Sequence, residues 1–321
     1  MNIVKIIFLV IFFLEFNFVN AQNLKCEYCK NQIVDDYIII EGLKFHKEHF
    51  KCANCNKPID GKYYAKNGKY YNEKCFEMLF LPKCAVCNKS INGEYLIDSF
   101  GNKIHKHHEA EIDRCDNCNR IISENMASGE LKYNDGRNIC NICYSNRLNW
   151  IGEYENALNK VVDKLKNYGL RFLKSSISLK IVNLTELQKV AENNYSKNIR
   201  GYTHSIIKTL GIQKSFEHTI YVLSMIPTKY AESTIAHELM HVWITENIDN
   251  KLSAQLEEGS CNYISYTYLK SDYSQDSKDI IKQMEDNSDE IYGDGYRKVF
   301  EKFNGREFNQ FLSYLKKKTS I

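Results

Sequence analysis

Proline is almost missing from this chain of 321 residues, with three in all, so no long Pro-rich linker separates its parts. Neither sign of charge is in excess. Lys and Arg number 43 against 40 Asp and Glu, a net of +3. A dedicated nucleic-acid binder would carry a clear basic surplus, so that class is excluded. Long apolar runs are also lacking. Ile6–Leu14 is apolar but too short to span a bilayer, which takes about 20 residues. Lys5 precedes it, and Val19-Asn20-Ala21 puts small residues at −3 and −1 of a cleavage site. Residues 1–21 therefore read as a signal peptide. The remainder reads as a secreted or periplasmic protein with no stable membrane span after cleavage. The length suggests two to three domains.

Cysteine is what the chain has in quantity. Ten of twelve fall in five C-x-x-C pairs: Cys26/Cys29, Cys52/Cys55, Cys84/Cys87, Cys115/Cys118 and Cys140/Cys143. Two H-x-x-H pairs join them, His46/His49 and His105/His108. Disulfides are normal in exported chains, but this spacing suits metal, because a two-residue spacer lets both side chains of a tight turn meet one ion. Taken in order, Cys26, Cys29, His46 and His49 form one zinc site. Cys84, Cys87, His105 and His108 form a second, and Cys115, Cys118, Cys140 and Cys143 an all-thiolate third. A fourth is incomplete. Cys52, Cys55 and Cys75 supply three thiolates, and Asn72 stands where the spacing would put the fourth. Closed four-ligand sites are structural, and segments this short would not fold without their metal.

A different pattern lies near the C-terminus. His237-Glu238-Leu239-Met240-His241 spells H-E-x-x-H inside an apolar run from Ile235 to Ile244. On a helix, residues i and i+4 share a face, so both imidazoles can hold one zinc ion with Glu238 beside it as catalytic base. A catalytic zinc needs a third protein ligand. Glu257 and Glu258, on a predicted helix over 253–270 capped by Ser253, are the candidates. Cys261 reads as a small buried residue behind the site. His204 and His218 are weak candidates for stabilising an oxyanion. Periodicity predicts further helices over 148–168, 185–193, 295–303 and 306–317. Residues 194–217 read as loop. The β-branched run from His218 to Met225 reads as a strand, with 219–224 a candidate for pairing with an extended substrate.

The stretch from His46 to Pro58, and Asn72 to Phe80 after it, resembles a LIM domain, a double zinc finger that binds other proteins. Residues 84–143 resemble a second, divergent LIM module, with six residues between His108 and Cys115 where a LIM domain has two. The order LIM, LIM-like, H-E-x-x-H is similar to the ubiquitin-activated LIM peptidases that limit plant organ growth and to their bacterial relatives. Arg200-Gly201, Ile220–Leu223, Ile235–Trp243 and Leu256–Cys261 carry that likeness. Glu258 directly before Gly259 resembles the Glu-Gly arrangement of thermolysin-related aminopeptidases. The likeness thus makes Glu258 the third ligand and Glu257 an orienting partner.

The resemblance implies an α+β chain: a LIM domain at 24–81, a divergent LIM-like domain at 82–147, and a mainly helical, zincin-like (gluzincin-type) metallopeptidase domain at 148–321. It implies a zinc endopeptidase with one catalytic and three to four structural zinc ions. It also implies a protein or peptide substrate and a protein partner for the LIM modules. The signal peptide, and the lack of a ubiquitin-interacting segment in this sequence, point to an exported, bacterial-type member. The alternative is a LIM-type binding scaffold in which peptidase chemistry is not the main activity.

Overall fold

The computed structural model describes residues 2–4, 24–98, 100–110, 112–127, 130–172, 176–192, 199–211 and 213–321. The expected signal peptide at 1–21 lies outside the described residues, apart from strand β1 (Asn2–Val4). No helix among the described residues is long and apolar enough to cross a membrane.

Four C-x-x-C turns share one shape. The backbone N–H of Lys30, Asn56, Asn88 and Asn119 donates to the carbonyl of the first Cys, four residues back, at 2.8, 2.9, 2.8 and 2.8 Å. Each donor residue has a positive φ, between 57° and 61°. Three of the four are Asn, a residue that tolerates the left-handed region. A two-stranded hairpin follows every turn: β2 (Tyr37–Ile40) with β3 (Leu43–His46), β4 (Tyr63–Lys66) with β5 (Lys69–Asn72), β6 (Tyr95–Ile97) with β7 (Lys103–His105), and β8 (Glu130–Lys132) with β9 (Asn138–Cys140). β1 pairs with the outer side of β6. The last residue of each second strand, His46, Asn72, His105 or Cys140, begins the returning ligand pair. Its companion three residues on sits in a short helical turn: His49, Cys75 in α1 (Glu73–Phe80), His108, or Cys143 in α3 (Asn141–Ser145).

Two compact units result, divided after Glu111. The first packs Ile33, Ile38, Ile40, Phe45, Phe50, Tyr63 and Phe76 around its zinc-finger cysteines. The second begins with the fourth knuckle and the short α2 (Glu124–Ala127). The division therefore runs through the expected 82–147 module and not at its end. The reason is packing. Cys115, Cys118, Ile139, Cys140 and Cys143 belong to the same apolar cluster as Tyr154, Ile220, Tyr230 and Ile235. Polar bonds reinforce it: Arg137 Nη1 donates to Ser224 O at 3.0 Å, Arg200 Nη2 to Asn117 O at 2.6 Å, and Gln283 Nε2 to Cys118 O at 3.1 Å.

The rest of the second unit is mainly helical: α4 (Ile151–Lys166), α5 (Leu184–Ala191), α6 (Thr228–Asn247), α7 (Ala254–Leu269), α8 (Gln275–Glu285), α9 (Gly295–Phe303) and α10 (Phe308–Leu315). Ser253 caps α7, its hydroxyl accepting from Leu256 N, as expected. One sheet, in the order β10 (Ile177–Val182), β12 (Gln213–Leu223), β11 (Gly201–Leu210), packs against α6. Zinc-binding β modules followed by a helical region make the chain α+β.

Two expectations change. Residues 194–217 were expected to be loop, yet 201–210 and 213–223 form a long antiparallel hairpin. Its outer half is exposed on both faces, so it needs no alternation of apolar and polar residues that could mark it. The strand expected to pair with substrate is also internal: β12 has β10 on one side and β11 on the other. Its hydrogen-bonding edges are taken, and β11 carries the outer edge.

Candidate metal centre

α6 places the H-E-x-x-H residues on a helix whose surroundings are largely apolar; Ile235, Ala236, Leu239, Met240 and Val242 are wholly buried. His237 and His241 lie one turn apart with ring centroids 5.1 Å from each other. α7 crosses α6 beside them. The packing behind α7 is close because Gly259 meets Gly295 of α9: a Cβ on Gly259 would sit 2.4 Å from the Gly295 carbonyl.

Glu258 projects from α7 into the angle between the imidazoles. Its Oε2 is 3.1 Å from His237 Nε2 and 3.6 Å from His241 Nε2. Ligand atoms around a tetrahedral zinc with bonds of about 2.0–2.2 Å stand roughly 3.3–3.6 Å apart, and both distances from Glu258 Oε2 lie close to that spacing. The outer nitrogens are also engaged. His237 Nδ1 is 3.0 Å from Asn262 Oδ1, and His241 Nδ1 is 3.2 Å from Glu257 Oε1. Asn262 Nδ2 donates to Tyr292 O at 3.0 Å, which fixes the amide so that its oxygen faces His237. Both imidazoles then carry their proton on Nδ1 and turn the Nε2 lone pair toward Glu258. Glu257 thus lies against the outer nitrogen of His241.

Cys261 competes with Glu258 for the third corner, since its sulfur lies within 4.8 Å of ligand nitrogens of both imidazoles. Geometry favours Glu258. Burial pushes the Cys261 thiol up to about 12. For Glu258 burial acts in the same direction, but His237 and His241 outweigh it and hold the carboxyl well below its usual range. With Oε2 at 3.1 and 3.6 Å from the two Nε2 atoms, Glu258 is the better placed of the two.

Glu238 is buried, and burial raises its pKa, with Glu258 adding to the effect and the two imidazoles opposing it. Thr203 of β11 donates its hydroxyl to Glu238 Oε2 at 2.8 Å. Gly201 gives the strand room: a Cβ there would lie 2.5 Å from Thr234 Cγ2 and 2.7 Å from Glu238 Oε1. His218 and His204 do not join the centre. His218 is tied to Ser205 Oγ at 2.7 Å and to Glu246 Oε1 at 3.2 Å. His204 alternates with Thr203 and so faces the other side of the sheet.

Three participants escaped sequence reading: Thr203, the bridging part played by Asn262, and Tyr292. Tyr292 lies in a π-helical turn, Glu290–Asp294. Such turns are rare and recur at functional sites. Burial raises its pKa, and the charges of Glu258 and Glu238 add to the rise. The only local hint is the Asp289 cap, which accepts from Ile291 N and Tyr292 N.

The other ligand sets also converge. The sulfurs and imidazole nitrogens of Cys26, Cys29, His46 and His49 lie within 4.8 Å of one another, as do those of Cys84, Cys87, His105 and His108 and the four sulfurs of Cys115, Cys118, Cys140 and Cys143. Cys52, Cys55 and Cys75 form a group of three. His46 Nε2 and His105 Nε2 bond the carbonyls of Gln32 and Ser90, both at 3.3 Å, which leaves Nδ1 for metal. All twelve cysteines are free thiols. These groups have the donor sets of structural zinc sites.

Two family models match parts of this chain. The LIM domain family matches residues 26–80, and the family described as DA1-like, Protein DA1, matches 181–280. LIM domain-containing protein HDR3 of Oryza sativa subsp. japonica is 24% identical over 370 residues, which cover 91% of this chain and 72% of that protein. Protein DA1-related 2 of Arabidopsis thaliana is 27% identical over 294 residues, 78% of this chain and 54% of that protein. Paxillin homolog 1 of Caenorhabditis elegans is 38% identical over 73 residues, 22% of this chain and 17% of that protein. The chain thus spans about half to three quarters of the two plant proteins. It carries a LIM domain and a DA1-like region, and it is related to plant DA1 proteins.

Proposed function

We propose that the second unit is a zinc-dependent endopeptidase of the zincin type, with His237, His241 and Glu258 as metal ligands. The observation that carries this reading is the convergence of His237 Nε2, His241 Nε2 and Glu258 Oε2, with both imidazoles oriented from behind and Glu238 alongside. Bound zinc supplies Lewis-acid polarisation of a scissile carbonyl and lowers the pKa of water toward neutrality. Glu238 takes the proton of the attacking water and delivers it to the leaving amine. A raised pKa suits both halves of that task. Thr203 holds Oε2, so that proton transfer proceeds through the other oxygen.

Substrate would lie along β11. Leu223 N–H donates to Arg200 O, so even-numbered residues of this strand exchange bonds with β12. Gly201, Thr203 and Ser205 then turn their backbone groups to the open edge. Among the described residues no strand covers it. An extended peptide paired there passes directly beside Glu238.

The LIM part would bind a protein partner or the protein substrate. We further infer export, from residues 1–21. The test of the chemistry is Glu238→Gln. It should retain the fold and the zinc content while cleavage of an unfolded protein such as casein is lost. Cleavage at the wild-type rate would remove Glu238 from the mechanism. Zinc bound only in structural sites would favour the scaffold reading.

A further inference from the structure

We infer that the Cys52–Cys55–Cys75 site holds zinc through three thiolates only, with Asn72 blocking the fourth protein corner. That corner is left to an exchangeable, monodentate external ligand such as water or a small thiol. This inference stands apart from the peptidase reading.

The argument starts from the repeated architecture. In the three complete sites the ligand at the end of the second hairpin strand is His46, His105 or Cys140, and the last ligand follows three residues later in a helical turn. Asn72 ends β5, and Cys75 follows in α1, so Asn72 occupies the ligand position by fold as well as by spacing. Its side chain has two ends, and only the oxygen could ligate. That oxygen caps α1, accepting from Cys75 N at 2.9 Å. A backbone N–H needs an acceptor, so the amide cannot be flipped. The other end, Nδ2, therefore faces the thiolates and donates to Cys55 Sγ at 3.3 Å. Asn54 Nδ2 donates to Cys75 Sγ, also at 3.3 Å. Two amide donors thus stabilise thiolate charge, but neither can supply a lone pair to zinc. A four-coordinate zinc here must complete its shell from outside. The site is reachable, since Cys55 and Asn72 are both partly exposed.

The consequence is a LIM domain with unequal halves. The Cys26–Cys29–His46–His49 half is closed and retains its ion. The second half gains and loses zinc as availability changes, and the anchoring of Cys75 and α1 changes with it.

The test is zinc release from the full-length, zinc-loaded protein to a chromophoric chelator, 4-(2-pyridylazo)resorcinol, with total metal counted by mass spectrometry. Wild type should lose one equivalent from this site at least about tenfold faster than the three closed sites lose theirs. Cys75→Ser should remove that equivalent. Asn72→Asp is nearly isosteric: one oxygen keeps the cap and the other replaces Nδ2 beside Cys55 as a ligand. It should move one equivalent from the fast to the slow class, slowing it about tenfold, with the remaining phases unchanged. Added mercaptoethanol should slow the fast phase of wild type and leave Asn72→Asp unaffected. If Asn72→Asp releases zinc like wild type, or if Cys75→Ser does not lower the number of fast equivalents by one (the His237–His241–Glu258 centre being open as well), the inference is overturned.

Discussion

Asn262 shows how much one side chain can settle in a metal centre. Its oxygen faces His237 Nδ1 and its nitrogen holds the Tyr292 carbonyl, so it orients a ligand and anchors the π turn together. Replacing it by Leu keeps the size and removes both bonds. Zinc affinity at the centre should fall roughly 10–100-fold, the usual loss when a ligand His loses its outer partner. Competition with a chelator of known affinity measures this, and the structural zincs serve as an internal control. An unchanged affinity would mean that Glu257 and the helix packing suffice. In the sequence Asn262 carries no signal of its own. Nothing local shows that its amide has a fixed orientation, because the group that fixes it is 30 residues away.

Helix crossings belong to the next scale. Glu258 reaches the imidazoles only because α7 lies close to α6 at one rotation, and α9 holds α7 there through the Gly259–Gly295 contact. Gly295 is in turn packed on Gln255, with 2.4 Å from its ideal Cβ to the Gln255 carbonyl. Gly259→Ala must push two backbones apart, which costs about 1–3 kcal/mol in a close-packed interior. Urea unfolding should show that loss, and the displaced α7 should also weaken zinc binding; full stability would show that α9 yields without cost. Helices α4, α9 and α10 were legible from an apolar stripe, α7 from its cap, and α6 from its H-E-x-x-H spacing. The β11–β12 hairpin was only half legible: its buried end, Ile220 to Leu223, reads as strand, while its exposed end has no face to bury. The same blindness misplaced the substrate edge, because strand order is a property of the sheet and not of any strand within it.

At the scale of the molecule, the fourth knuckle works as part of the second unit. Its thiolates share the core of α6, and Arg200, which holds Asn117 O, immediately precedes the Gly201 that packs on Glu238. A chain beginning at Ile112 should therefore fold cooperatively and bind two zinc ions. One beginning at Leu148 should bind less zinc and expose apolar surface, with dye binding and a broad, low melting transition as readouts. Equal stability of the two would return the boundary to residue 147.

What the sequence determined by itself are the local facts: which Cys and His pair with which ion, and that His237, Glu238 and His241 share a helical face. Ligand pairs two or three residues apart are set by turn geometry, so spacing suffices. Tertiary structure decided the rest. Glu257, Glu258 and Cys261 are all near enough along α7 to supply a third ligand, and the rotation of α7 against α6 sets which of their atoms face the imidazoles. Asn72 was legible as a missing ligand, but the cap that turns its oxygen away appears only once β5 and α1 meet. In both cases a polar atom's direction depends on a partner that folding brings to it.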